Sequence, residues 1–161
     1  MGNSKEVRIK LCSARYEVEA SLFSQEDDEL HLLGDDMKIE PVKIEINSLG
    51  KLTVQGGRVI ISYDETEATG MAGSSTAISF AEDQPEIVTM TREGAVSTTL
   101  VFEERKRHHC LYNTPFMPFE VCVHTMKVKN LLLGEGVLEL DYVIEIRGAQ
   151  AERTKFRMEL L

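Results

Sequence analysis

Apolar and polar residues alternate with a period of two over most of the chain, the signature of strands that bury one face. Val7, Ile9 and Leu11 alternate with Arg8 and Lys10, and Val42, Ile44 and Ile46 with Lys43 and Glu45. Pro41 stands just ahead of that second run, where a missing N–H does least harm. Leu52-Thr53-Val54 and the run from Val59 to Tyr63 flank Gln55-Gly56-Gly57. Adjacent glycines supply the positive φ of a tight turn, so this stretch reads as a hairpin. Further strands are predicted at Thr76 to Phe80, Glu86 to Arg92, Ala95 to Phe102, Arg107 to Tyr112, Phe119 to Val128, Val137 to Ile146 and Thr154 to Leu160.

The connections between these runs are short and rich in turn formers: Asp83-Gln84-Pro85, Glu93-Gly94, Asn113 to Pro118, Gly134-Glu135-Gly136 and Gly148-Ala149. A parallel return needs about a dozen residues or more, so successive strands are antiparallel neighbours. About eight to ten strands in one meander leave a sandwich or a barrel, and closure removes the exposed edges. The reading is all-β, a single closed antiparallel up-and-down barrel. Segment 21–38 breaks the pattern with Glu26, Asp27, Asp28 and Glu29 ahead of Leu30, Leu32 and Leu33. It forms either a short helix capped by Ser24 or an acidic surface loop.

With 161 residues and 42% apolar content the chain suits one domain over 1–161, with a core that needs neither metals nor disulfides. Cys12, Cys110 and Cys122 are odd in number and without framework spacing, and no secretory leader pattern opens the chain. A cytoplasmic location is expected. No apolar run approaches the roughly 18 residues of a membrane span. The net charge of −9 repels a phosphate backbone, and the one basic cluster, Arg105-Lys106-Arg107, follows Glu103-Glu104. Neither nucleic acid nor membrane is an expected partner.

The stretch Ile61-Ser-Tyr-Asp-Glu-Thr-Glu-Ala-Thr-Gly70, followed by Thr76, Thr91-Arg-Glu-Gly94, Tyr112-Asn-Thr-Pro-Phe116, Thr125 and Leu140-Asp-Tyr142, resembles the YwiB-like family of bacterial proteins. The ordered blocks cover residues 42 to 160. That family pattern has Gly after the Thr-Pro-aromatic step, where this chain has Met117-Pro118. The resemblance implies a lipocalin-like (calycin) β-barrel and a domain of unknown function, so it carries no activity with it.

Gly-x-Ser-x-Gly, the P-loop, the dinucleotide glycine turn, His-Glu-x-x-His and Cys-x-x-Cys are all missing, which weighs against an enzyme and gives no reason to expect a cofactor. The face holding Val59, Ile61 and Tyr63 continues in phase to Glu65, and the face holding Val88 and Met90 continues to Arg92. Both ionisable groups therefore fall at strand ends on the inner wall. A carboxylate, a guanidinium and a phenol near one mouth suit the polar head of a small, partly apolar ligand. The alternative is that Arg92 and Glu65 satisfy each other and plug the barrel end. Tyr142, in phase with Leu138, Leu140, Ile144 and Ile146, also faces inward. Tyr112 and Thr125, from the blocks of resemblance, join Tyr63, Glu65, Arg92 and Tyr142 as candidate ligand contacts.

Two further points turn on structure. Either the small face Ser75, Ala77, Ser79 looks inward and leaves room for a ligand, or Ile78 and Phe80 fill the interior. His108, Cys110, Cys122 and His124 share one face of their hairpin only if opposed positions have an even sum, since 108 and 124 sum as 110 and 122 do. That register would bring together a Cys₂His₂ set able to bind zinc; an odd sum scatters it over two faces. No metal is therefore assigned. The expected function is a non-catalytic binding module that holds a small, partly apolar ligand in the barrel. The alternative is a filled-core domain that meets a protein partner through the apolar loop Pro115, Phe116, Met117, Pro118.

Overall fold

The structure, a computed structural model, describes residues 3–18, 41–66, 73–146 and 150–161. Ten strands follow one another: β1 (Asn3–Val18), β2 (Val42–Gln55), β3 (Arg58–Asp64), β4 (Ser75–Ala81), β5 (Gln84–Glu93), β6 (Ser97–Glu103), β7 (Arg107–Asn113), β8 (Phe119–Leu131), β9 (Val137–Ile146) and β10 (Gln150–Leu160). Every strand pairs antiparallel with its sequence neighbours, and β1 closes the ring against β10. The all-β, closed up-and-down barrel expected from the alternation is the architecture observed. The acidic stretch 21–38 lies outside the described residues.

Two strands are longer than the hydropathy pattern indicates. β1 runs on past Leu11 through Ser13 and Arg15, and β2 bridges the polar step Asn47-Ser48 that reads as a break. The reason is local packing. Gly50 lies opposite Val7, and a side chain there would meet Ile9 Cδ1 at 2.2 Å and the Ser62 carbonyl at 2.8 Å. The missing Cβ lets Ile9 cross β2, so the strand stays paired without apolar residues of its own. At the β2–β3 turn Gly56 and Gly57 adopt φ of 60° and 76°, as the hairpin reading requires.

The interior is filled. Ile9, Val59, Ile61, Ile78, Phe80, Val88, Leu100, Phe102, Val121, Val123, Leu138, Leu140 and Met158 are fully or almost fully buried. Thr76, Ile78 and Phe80 point inward while Ser75 is exposed and Ala77 and Ser79 are half-buried, so the small face of β4 does not hollow the barrel. The Phe102 and Tyr142 rings pack across it with centroids 4.5 Å apart. β6 and β7 share only two opposed pairs, Ser97 with Asn113 and Thr98 with Tyr112. β8 instead approaches β5 and β6, and its Thr125 exchanges backbone hydrogen bonds with Arg105 and Lys106. β8 thus draws toward β5 and β6 where the β6–β7 pairing is short.

One end of the barrel is sealed by short turns and by α1 (Leu132–Glu135), whose Leu132 is buried in the core. Gly136, in the left-handed region at φ 73°, ends that helix and starts β9. At the other end β1, β3, β5, β7 and β9 finish, and the connections 94–96 and 114–118 lie there. No helix among the described residues is long and apolar enough to cross a membrane.

Candidate functional site

Register places the polar residues of this second end in two facing rows. Across β3 to β7, the opposed inward positions are Tyr63, Thr76, Arg92, Thr98 and Tyr112. Across β1, β10, β9 and β8 they are Arg15, Thr154, Tyr142 and Thr125. Each row follows from period-two alternation carried through the opposed positions of neighbouring strands.

Glu65 stands just beyond β3, fixed by its backbone N–H on the Ser74 carbonyl at 2.8 Å. Its side chain is 2% exposed and lies 3.7 Å from Arg92 Nη2, whose own side chain is 16% exposed. Thr76 bridges the pair: its hydroxyl donates to Glu65 Oε1 at 2.6 Å and accepts from Arg92 Nε at 3.3 Å. Arg92 Nη2 also reaches Met90 Sδ at 3.9 Å. Arg15 Nε approaches Glu152 at 3.9 Å on the facing row.

The phenols around this network are held neutral. Burial first, and then the Glu65 charge, push Tyr63 well above the usual phenol range, against the opposing pull of Arg92. Burial, then the neighbouring Tyr112, raise Tyr142 to about 12. Tyr112 is shifted the same way, again chiefly by burial. Three neutral phenols beside two guanidinium groups make an end rich in hydrogen-bond donors.

A void of about 50 Å³ opens against Tyr63, Glu65, Arg92 and Tyr142, together with Arg15 and Thr154. Four of the six expected contacts therefore line one space. Tyr112 and Thr125 do not line it. Tyr112 stands opposite Thr98, and Thr125 stands opposite Tyr142 with a buried hydroxyl that has no hydrogen-bond partner among the described residues. The space is far below the roughly 300 Å³ that a drug-sized ligand requires. Sequence reasoning missed Ser13, Arg15, Thr76, Glu152 and Thr154. Continuing the β1 alternation from Ile9 and Leu11 would have reached Ser13 and Arg15; the threonines are small polar residues with no signal of their own.

The 107–128 hairpin takes an odd register. Cys110 opposes Val121 and His108 opposes Val123 on the inner face, while Cys122 opposes His109 and His124 opposes Arg107 on the outer face. The potential zinc quartet is thus split, and among the described residues no three His, Cys, Asp or Glu side chains converge to hold a metal. The loop after β7 is braced by Thr114, whose hydroxyl donates to the Met117 carbonyl at 2.7 Å and accepts from the N–H groups of Phe116 and Met117. It displays Phe116 and Met117 at 95% and 66% exposure.

A family model described as "Domain of unknown function (DUF1934)" matches residues 34–158. Among solved structures, the chain is similar to the crystal structure of ywiB protein from Bacillus subtilis, with a TM-score of 0.61 and 17% sequence identity. That similarity covers 97% of this chain and 93% of the other, and at such identity it bears on the fold alone. No curated protein matches the chain.

Proposed function

The chain belongs to the family described as Domain of unknown function (DUF1934), and because that family brings no activity with it, we propose from the chain's own residues a non-catalytic binding module. Its recognition element is the polar mouth, and its occupant is the oxyanionic head of a small ligand. One observation carries this reading: Arg92, tied to Glu65 and Thr76, borders a void among neutral phenols. About 50 Å³ holds several waters or one head group. The filled barrel below excludes the ligand body, so a partly apolar tail lies outside the rim rather than inside the barrel. Arg92 Nη1 has no partner among the described residues and is the donor left for the head. The three unbridged cysteines support a reducing, cytoplasmic setting.

Titration with acetate and with inorganic phosphate, followed by amide-resolved NMR, tests the reading. Saturable shifts centred on Thr76, Arg92 and Thr154 are expected, and their disappearance in a folded Arg92→Gln variant. Shifts that never saturate, or that persist in the variant, refute it. The exposed, Thr114-braced Phe116 and Met117 favour a second reading, a filled-core domain that meets a protein partner through this loop. A loss of partner capture in Phe116→Ser with oxyanion binding intact would favour that account.

A further inference from the structure

A concavity larger than the void at the mouth lies on the outer wall of the barrel, over β1, β2 and β10 with the adjoining faces of β8 and β9. Its volume is about 460 Å³, within the range of small-molecule sites. Ala14 lies at its centre, opposed to Lys43 on one side and to Lys155 on the other. The single methyl between two long side chains leaves a notch walled by their apolar stems and bordered by Cys12.

Its charges do not cancel. Three carboxylates line the cleft, and each already has a cation: Glu45 has Lys10 at 3.5 Å, Glu139 has Lys127 at 3.7 Å together with Arg157, and Asp141 has both forks of Arg153 at 2.8 and 3.0 Å. Lys43 has no ion-pair partner among the described residues, and the Lys155 ammonium lies 5.9 Å above the Tyr16 ring centre without a carboxylate. Two uncompensated cations therefore face one cleft in a chain of net charge −9. We propose that this cleft is a second ligand site, specific for small amphiphiles that carry a carboxylate or phosphate head. The head sits between Lys43 and Lys155, and the apolar body lies along Ala14, Cys12 and the lysine stems. Arg92, Glu65, Tyr63 and Tyr142 of the mouth do not line this cleft, although Ser13, Ile44 and Phe156 border both spaces.

Decanoate and octyl phosphate are the probes, with decyltrimethylammonium as the cationic counterpart, measured by calorimetry on the intact chain. Saturable binding of the anionic probes is expected, weakened about tenfold in Lys43→Gln/Lys155→Gln by the loss of two exposed charge contacts. Ala14→Phe, which fills the notch without touching the charges, should abolish it, and Arg92→Gln should leave it unchanged. Both lysines are exposed, so the double variant keeps its fold, and near-ultraviolet dichroism verifies this. Equal affinity for the cationic probe, undiminished decanoate binding in the double variant, or loss of binding in Arg92→Gln would each overturn the proposal. A difference between decanoate and octyl phosphate distinguishes carboxylate from phosphate ligands.

Discussion

Substitution of Arg92 and Glu65, singly and together, measures what the buried pair contributes. At about 4 Å and an effective dielectric near 20, two unit charges attract by about 4 kcal/mol. Desolvating them costs several kcal/mol per ion, which offsets most of that gain. Arg92→Gln leaves a carboxylate of 2% exposure held by the Thr76 hydroxyl. Losing one partner of a fully buried pair costs about 3–5 kcal/mol; here Arg92 is 16% exposed and the separation is 3.7 Å, so about 2–3 kcal/mol is expected. Glu65→Gln leaves Arg92 with Thr76, Met90 and partial solvent, and about 1–2 kcal/mol is expected. The double variant should lose roughly 2 kcal/mol rather than the sum, a coupling of about 1–3 kcal/mol. Urea unfolding at neutral pH gives all four corners of the cycle, provided the m-value stays constant. A coupling below about 0.3 kcal/mol would mean that the two groups act independently, and would refute the pairing as the organiser of the mouth.

Gly50→Ala should destabilise by about 1–3 kcal/mol, because the added methyl meets both Ile9 and the fixed Ser62 carbonyl; a thermal midpoint equal to that of the parent would show that β2 has room. Alkaline stability carries the signature of the buried phenols. Tyr142 titrates near 10 in the unfolded chain and at about 12 in the folded one, so folding favours its neutral form. That contribution, roughly 3 kcal/mol for a shift of about two units, is complete below pH 10 and is lost as pH rises to about 12. Tyr63 and Tyr112 act in the same direction. Urea midpoints that stay flat over this window, with tyrosinate forming at its ordinary pH, would show the phenols to be solvated.

Much of the site was legible because alternation is a geometric rule. Tyr63 leads in phase to Glu65, and Met90 to Arg92, and the two charges do meet. What was lost was lost for identifiable reasons. Ser13 and Arg15 are polar residues on the inner face, and to hydropathy they look like the end of a strand. Ser48 and Gly50 leave β2 without an apolar inner face at that point, although Ile9 supplies the missing volume from β1. The 107–128 hairpin turns through a multi-residue loop that does not set register, so the sequence left both parities open. The approach of β8 to β5 and β6 was equally hidden: it accompanies the short β6–β7 pairing, which hydropathy does not show.

The two ends of the barrel show that the polar mouth is not required by the fold. Both ends must be closed, and the end near α1 is closed by Leu132, short turns and backbone hydrogen bonds, with no buried charge among the described residues. Replacing a buried ion pair by apolar side chains of similar volume is often neutral or stabilising by about 1–4 kcal/mol. A second leucine plug in place of Glu65 and Arg92 would therefore serve stability at least as well. The mouth instead keeps a carboxylate, two guanidinium groups and three neutral phenols. Such groups bring directional donors to a fixed place, which apolar packing does not, and a selective contact with a polar ligand is the role that uses them.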